Sequence, residues 1–313
     1  MAWGTTVLVK HKLVVKAPPD EVWALGRGPA ALSARPGWFA FEVPAEVKGA
    51  DRLCCVLGGD DVPFAAVFDV RWEIPGQEIC WQSRSTASVG EQTLSVGVRP
   101  HRRGSMMRLS FGAVVPRPEA TEHEAYMHRR VRAWGASLRE IAEGQAPWPG
   151  AVMPASMQQR HGAPRALKQE VQASAAVVVR ASAETVWKKL QPPEAQYALF
   201  PGLVVHAGYV PGAPQGTTGE MQYRVARQPN ERFTVDVTVT TELVDGAREA
   251  NQRFTPPHRQ FSLTLTRVPD GTRMDLTSRH PALPKKAGGR DQAAQMAARL
   301  QRTIDAWKTL VEN

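Results

Sequence analysis

A chain of 313 residues is long enough for two domains of ordinary size. With 42% hydrophobic and 22% charged residues it has the balance of a folded globular protein rather than a disordered one, and no apolar run approaches the ~20 residues needed to span a bilayer. The net charge of +9 raises nucleic-acid binding, but the excess is scattered arginine without an RNA- or DNA-binding motif, so that class is disfavoured.

Residues 1–16 alternate toward a strand and lack a small-residue cleavage site after an apolar block, unlike a signal peptide. The strand runs through Val14 and Val15 to Lys16, and a helix with Val22-Trp23 one turn inside it follows. Pro19 suits the first helical position, where a missing N–H costs nothing, and Asp20 suits the positive end of the helix dipole. Residues 26–36, rich in Gly, Ala and Pro, read as a short second helix or a loop. Strands are then expected from Trp38, over 52–57, and over 66–74, where Phe68, Val70, Trp72 and Ile74 alternate with Asp69, Arg71 and Glu73. Further strands cover 78–83, 93–98 and the row Met107, Leu109, Phe111. Between Glu119 and Glu143, Met127, Val131, Trp134, Leu138 and Ile141 recur at helical spacing, and Gly144 is a natural stop. Gly135 inside this helix either permits a close approach of the sheet or is simply tolerated.

Residues 145–168 read as a Pro- and Gly-punctuated linker, after which the opening recurs: Val178-Val179-Arg180 leads into Thr185-Val186-Trp187, displaced by 164 positions. Ser182 is the expected N-cap of this second helix. Strands follow at 221–225, at Phe233, Val235, Val237 and Val239, at Phe261, Leu263 and Leu265, and at Met274 and Leu276. A closing helix over roughly 291–311 carries Met296, Leu300, Ile304, Trp307 and Val311 on one face. Two copies of one α+β domain are expected, 1–144 and 169–313, each a curved antiparallel sheet wrapped around a long C-terminal helix that can leave an apolar cavity.

The paired openings, the hairpins at Gly104 and Asp270-Gly271 and the closing helices resemble START-related (SRPBCC) helix-grip domains, a group that includes polyketide aromatase/cyclases and lipid-transfer domains. Two copies in tandem resemble the didomain aromatase/cyclases. The resemblance implies a cavity for a hydrophobic small molecule between sheet and helix. In the cyclases it also implies an arginine inside that cavity, holding the polyketide and polarising a carbonyl. Here Arg71 falls on the outward side of its strand, the second copy offers Val235, Val237 and Val239, and no inward arginine is legible. That weighs against catalysis.

The expected cavity lining is Phe68, Val70, Trp72, Met107, Leu109, Phe111, Met127 and Val131 in the first copy. In the second it is Tyr197, Tyr223, Phe233, Val235, Phe261, Met274, Met296 and Leu300. The candidates for chemistry are few: Arg84 at a strand end could anchor an anionic group, and His123 with Tyr126 could face the cavity mouth, His123 as a general acid or base. Cys54, Cys55 and Cys80, an odd set with two adjacent, argue against disulfides and tetrahedral zinc and for a cytoplasmic protein with buried thiols. No metal-ligand cluster or cofactor motif appears, so neither is expected. The leading expectation is uptake of an apolar or aromatic ligand; the rivals are polyketide cyclisation or dehydration, and a scaffold with filled cavities. The sequence does not specify an oligomeric state.

Overall fold

The structure, a computed structural model, describes residues 4–44, 47, 52–58, 64–83, 91–150, 152–154, 157, 170–195, 197, 202–212, 220–228, 233–240, 247–254, 260–281 and 292–313. The chain divides into two compact units, 1–151 and 152–313, the boundary falling inside the Pro/Gly-rich stretch.

The first unit runs β1 (Gly4–Val15), α1 (Pro19–Gly26), α2 (Pro29–Ser33), β2 (Trp38–Val43), β3 (Leu53–Gly58), β4 (Phe64–Ile74), β5 (Glu78–Ser83), β6 (Gln92–His101), β7 (Gly104–Pro116) and α3 (Ala120–Ala142). Its seven strands form one antiparallel sheet in the order β1-β7-β6-β5-β4-β3-β2. Successive strands pair as hairpins, and β1 closes back onto β7. The second unit repeats this with β8 (Glu170–Val179), α4 (Ala183–Leu190), β9 (Val204–Tyr209), β10 (Glu220–Arg227), β11 (Phe233–Thr240), β12 (Ala247–Phe254), β13 (Gln260–Val268), β14 (Gly271–Pro281) and α5 (Gln292–Glu312). Tandem helix-grip units, each with a long closing helix across one face of an antiparallel sheet, are therefore the architecture.

The duplication extends to single hydrogen bonds. Gly104 (φ 127°) and Gly271 (φ 132°) start equivalent strands, and a Cβ at either would collide with the carbonyl oxygen of Val15 or Val179. The next residues, Ser105 and Thr272, each donate a hydroxyl at 2.7 Å to the carbonyl of Ala17 or Ala181. Glu143 and Glu312, at the ends of the closing helices, accept from the backbone N–H groups of Lys16 and Arg180 at 2.9 and 3.0 Å. Each helix end is thus tied to the end of the opening strand. Ser182 caps α4 by accepting from the Thr185 N–H at 3.1 Å.

The apolar stripe of α3, from Met127 to Ile141, is buried against β1 and β7 together with α1 and α2. Gly135 is where the sheet comes close: a Cβ there would lie 2.9 Å from Cδ2 of His11 and 3.2 Å from Leu109. In the second unit Met296, Leu300, Ile304, Trp307 and Val311 of α5 are buried with Leu263, Leu265, Met274 and Leu276.

Two strands depart from simple alternation. In β4 the register shifts between Val70 and Trp72, so Phe68 stays in the core while Trp72 and Ile74 turn out, 40% and 48% exposed. The expected inward place of Trp72 is therefore corrected by a β-bulge. The second departure is β11. Gln222 of β10 donates its side-chain N–H to the carbonyl of Gln191 at the end of α4, which fixes Gln222 and its neighbour-but-one Arg224 on the helix side. Asp236 lies opposite Arg224 in register, so Asp236 also faces the helix side. Phe233, Val235 and Val237 are buried on the other face, as is Tyr223, not in an inner cavity.

Candidate functional site

The site that stands out in the first unit is built on a residue that no periodicity announces. After α2 the chain folds tightly: the Arg35 N–H donates to the Leu32 carbonyl at 3.1 Å, and the Trp38 N–H to the Arg35 carbonyl at 3.0 Å. Ser33 Oγ accepts from the Ala40 N–H at 2.8 Å, and Gly37 takes φ 75° at the corner. This turn drives the Arg35 side chain inward, where only 3% of the residue is exposed.

Its guanidinium carbon lies 3.8 Å from the Trp38 ring centroid, 4.8 Å from Phe111 and 5.9 Å from Trp134. Stacking of this kind offsets part of the cost of removing the cation from water. Trp134 is fixed in turn by its indole N–H, which donates to the Ala31 carbonyl at 2.6 Å. Trp38 packs on Phe64 and Phe68, with centroids 5.5 and 5.8 Å away. No carboxylate among the described residues pairs with Arg35, and its Nη1 has no hydrogen-bond partner. Burial, and to a lesser extent the Arg130 charge, push the guanidinium down to about 9, with Tyr126 acting in the opposite sense. It remains cationic at neutral pH.

A second buried donor shares this core: the indole N–H of Trp81 on β5 has no partner among the described residues either. Both groups donate and neither accepts, so the complementary occupant presents oxygens: a carboxylate, an enolate or a ketone.

Among the expected residues, Phe68, Met107, Leu109, Phe111, Met127 and Val131 come together in this core, with Val70 packed at its margin. Trp72 does not join them. Tyr126 is 44% exposed, and its ring lies 6.0 Å from that of His123, whose buried Nε2 has no partner among the described residues. Arg130 donates to the Pro36 carbonyl at 3.2 Å and stands 5.9 Å from the Tyr126 ring, linking this pair to the turn that carries Arg35. Arg84 lies outside the described residues. Arg35 and Trp81 were missed by sequence reasoning. The five-residue α2 is too short to show a helical stripe, and Trp81 was read only as part of a strand.

The three thiols are free and buried; burial raises all three, with Cys55 far above its ordinary value, so none is an activated nucleophile. Among the described residues no cluster of His, Cys, Asp or Glu could hold a metal, and no helix is long and apolar enough to cross a membrane.

In the second unit Met274, Met296 and Leu300 line the core under α5, while the Phe261 side chain lies outside the described residues. Tyr197 and Tyr223 bracket His206, a residue not anticipated: Nδ1 is 3.3 Å from the Tyr197 hydroxyl and Nε2 is 3.1 Å from that of Tyr223. The helix side of this sheet carries an Arg224–Asp236 ion pair, with Nε 2.7 Å from Oδ2.

No family model matches the chain, and no curated protein matches it. Among solved structures it is similar to the di-domain ARO/CYC BexL from the BE-7585A biosynthetic pathway, at 15% identity and TM-score 0.38, with 97% of each chain covered. It is also similar to the di-domain ARO/CYC StfQ from the steffimycin biosynthetic pathway, at 12% identity and TM-score 0.36 over 97% of each chain. The Zhui aromatase/cyclase from a Streptomyces species covers 45% of this chain and 96% of its own, at 16% identity and TM-score 0.39.

Proposed function

We propose that the first unit takes up an aromatic or polyketide-like small molecule in its inner core, and that Arg35 holds an anionic or strongly polarised oxygen of that guest. The observation that carries this reading is a buried cation stacked on Trp38 with no acidic partner among the described residues. An uncompensated buried charge is costly, and a bound carboxylate, phenolate or enolate supplies the missing partner. The apolar residues around it, among them Phe68, Met107 and Met127, suit a flat hydrophobic body.

A second reading, polyketide cyclisation or dehydration, gains from the same arginine, because the inward cation whose lack weighed against catalysis is present. Arg35 would stabilise enolate charge as it develops, in an environment where that interaction is little screened by water. His123, with an unpartnered buried Nε2, is the nearby group able to move a proton.

Native mass spectrometry of full-length protein, followed by titration with an aromatic carboxylate such as 2-naphthoate, tests the binding reading. A retained acidic or polyketide-like compound, and binding weakened about a hundredfold by Arg35→Met, are expected from loss of a buried charged partner. Unchanged affinity in Arg35→Met would refute the assignment. Conversion of a supplied poly-β-ketone to a cyclised product, lost in Arg35→Met, moves the conclusion to the enzyme.

A further inference from the structure

The first sheet has a second feature on the face turned away from α3. Lys12, Arg108, Gly97 and Glu78 lie side by side in register across β1, β7, β6 and β5. Their chain neighbours Leu109, Val96 and Ile79 point the other way into the core. A groove of about 260 Å3 opens here, with Lys12, Arg99, Arg108 and Glu78 among its walls and Ile74 and Met106 as apolar sides.

The charges do not cancel. Glu78 takes Arg108 at 2.7 Å, which leaves Lys12 and Arg99 without a carboxylate partner among the described residues. Ile74, 48% exposed, sets an apolar surface beside them.

Gly97 lies in the middle of β6, under the Arg108 side chain. Glycine in the middle of a strand weakens it and often marks a place where something approaches closely. Elsewhere in this unit the reason is steric: a Cβ at Gly112 of β7 would lie 2.5 Å from Thr93 Oγ1, and one at Gly26 of α1 2.8 Å from Val96. A Cβ at Gly97 would meet only Arg108, at 3.6 to 3.7 Å, which is ordinary contact. Alanine would fit under the Arg108–Glu78 bridge, so packing does not require glycine. Gly97 is itself buried beneath the Arg108 side chain, which forms the floor of the groove there.

We propose that this groove is a ligand site separate from the inner core, for an amphiphilic anion. A phosphate or carboxylate head sits at Lys12 and Arg99, and a short apolar body lies along Ile74 and Met106. The chemistry is shared by a soluble organic phosphate and a lipid headgroup, and the experiment separates them.

Isotope-labelled full-length protein is titrated with phenyl phosphate, phenol and inorganic phosphate while the amide resonances of Gly97 and Val98 are followed. Saturable shifts with phenyl phosphate are expected, with phenol and inorganic phosphate each about tenfold weaker or more. Arg99→Glu and Lys12→Glu, both surface changes that leave the core alone, are each expected to weaken phenyl phosphate about tenfold. Absence of shifts, or indifference to both charge reversals, overturns the proposal. An equal response to inorganic phosphate means an adventitious ion only and overturns it too. Binding to phosphatidylglycerol vesicles through the same amides, without a response to phenyl phosphate, puts a lipid surface here and overturns the small-ligand assignment.

Discussion

The two units share a scaffold and differ in what it encloses. Both close β1 or β8 onto the last strand, tie the end of that opening strand to a helix-end glutamate, and bury a tryptophan of the closing helix. In the first unit the interior holds an unpaired guanidinium among aromatic rings. In the second, the arginine on the helix side is neutralised by Asp236, and its apolar row is buried on the opposite face of the sheet. A satisfied ion pair asks for nothing further, whereas an unsatisfied one is a demand for a guest. Duplication therefore preserved the frame, and the chemistry diverged at positions the frame does not constrain.

The sharpest way to break this comparison is to remove one charge from each interior. Asp236→Asn removes the carboxylate charge that faces Arg224 in a mostly buried setting and is expected to destabilise the second unit by about 3 kcal/mol. Arg35→Met, which keeps the bulk and removes an unpartnered charge, is expected to stabilise the unliganded first unit by roughly 1–3 kcal/mol. Denaturation followed by amide exchange reads each unit separately. Two changes of the same sign would sink the contrast.

The paired tryptophans give a smaller effect. Trp134 donates its indole N–H to Ala31, but the buried indole N–H of Trp307 has no partner among the described residues. Trp134→Phe leaves the Ala31 carbonyl without its donor as well as shrinking the side chain. It is expected to cost about 1 kcal/mol more than Trp307→Phe in the same exchange measurement.

The residues that repeat were those legible in the sequence. Val22-Trp23 and Val186-Trp187, the glycines at 104 and 271 and the stepped stripes of both closing helices follow from local rules, and the fold was readable from them. The site was not. Arg35 sits in a stretch without period, and its burial depends on a turn and on three rings distant in sequence. Trp72 and Val235 show the other limit. Period two says that a strand has two unlike faces but not which one meets the helix, and a bulge or a bonded Gln222 settles that.

A further difference lies where α3 crosses β1. His11 pairs with Leu109 in register, and the matching pair in the second unit is Ala175 with Leu276. Gly135 makes room for the larger side chain. Gly135→Ala alone is expected to destabilise by about 1 kcal/mol, because the gain in helix propensity is outweighed by the clash with His11. With His11→Ala the same change is expected to stabilise by up to about 1 kcal/mol. Additive behaviour in that double-mutant cycle would mean the ring and the glycine are not matched.

The same imidazole gives the first unit a pH dependence that Ala175 denies the second. Burial, with the charges of Arg132 and Arg139, holds His11 below its ordinary value. As pH falls through about 6.5 the unfolded chain takes up a proton that the folded unit resists, so stability drops with falling pH. The slope flattens once the folded imidazole is itself protonated. Amide exchange of β1 measured at several pH values between 8 and 5 (on the order of the imidazole range) should show this decline in the native protein and lose it in His11→Gln. The exchange of β8 should follow the same course in both proteins. A slope that survives the substitution would move its origin to another group and remove this distinction between the units.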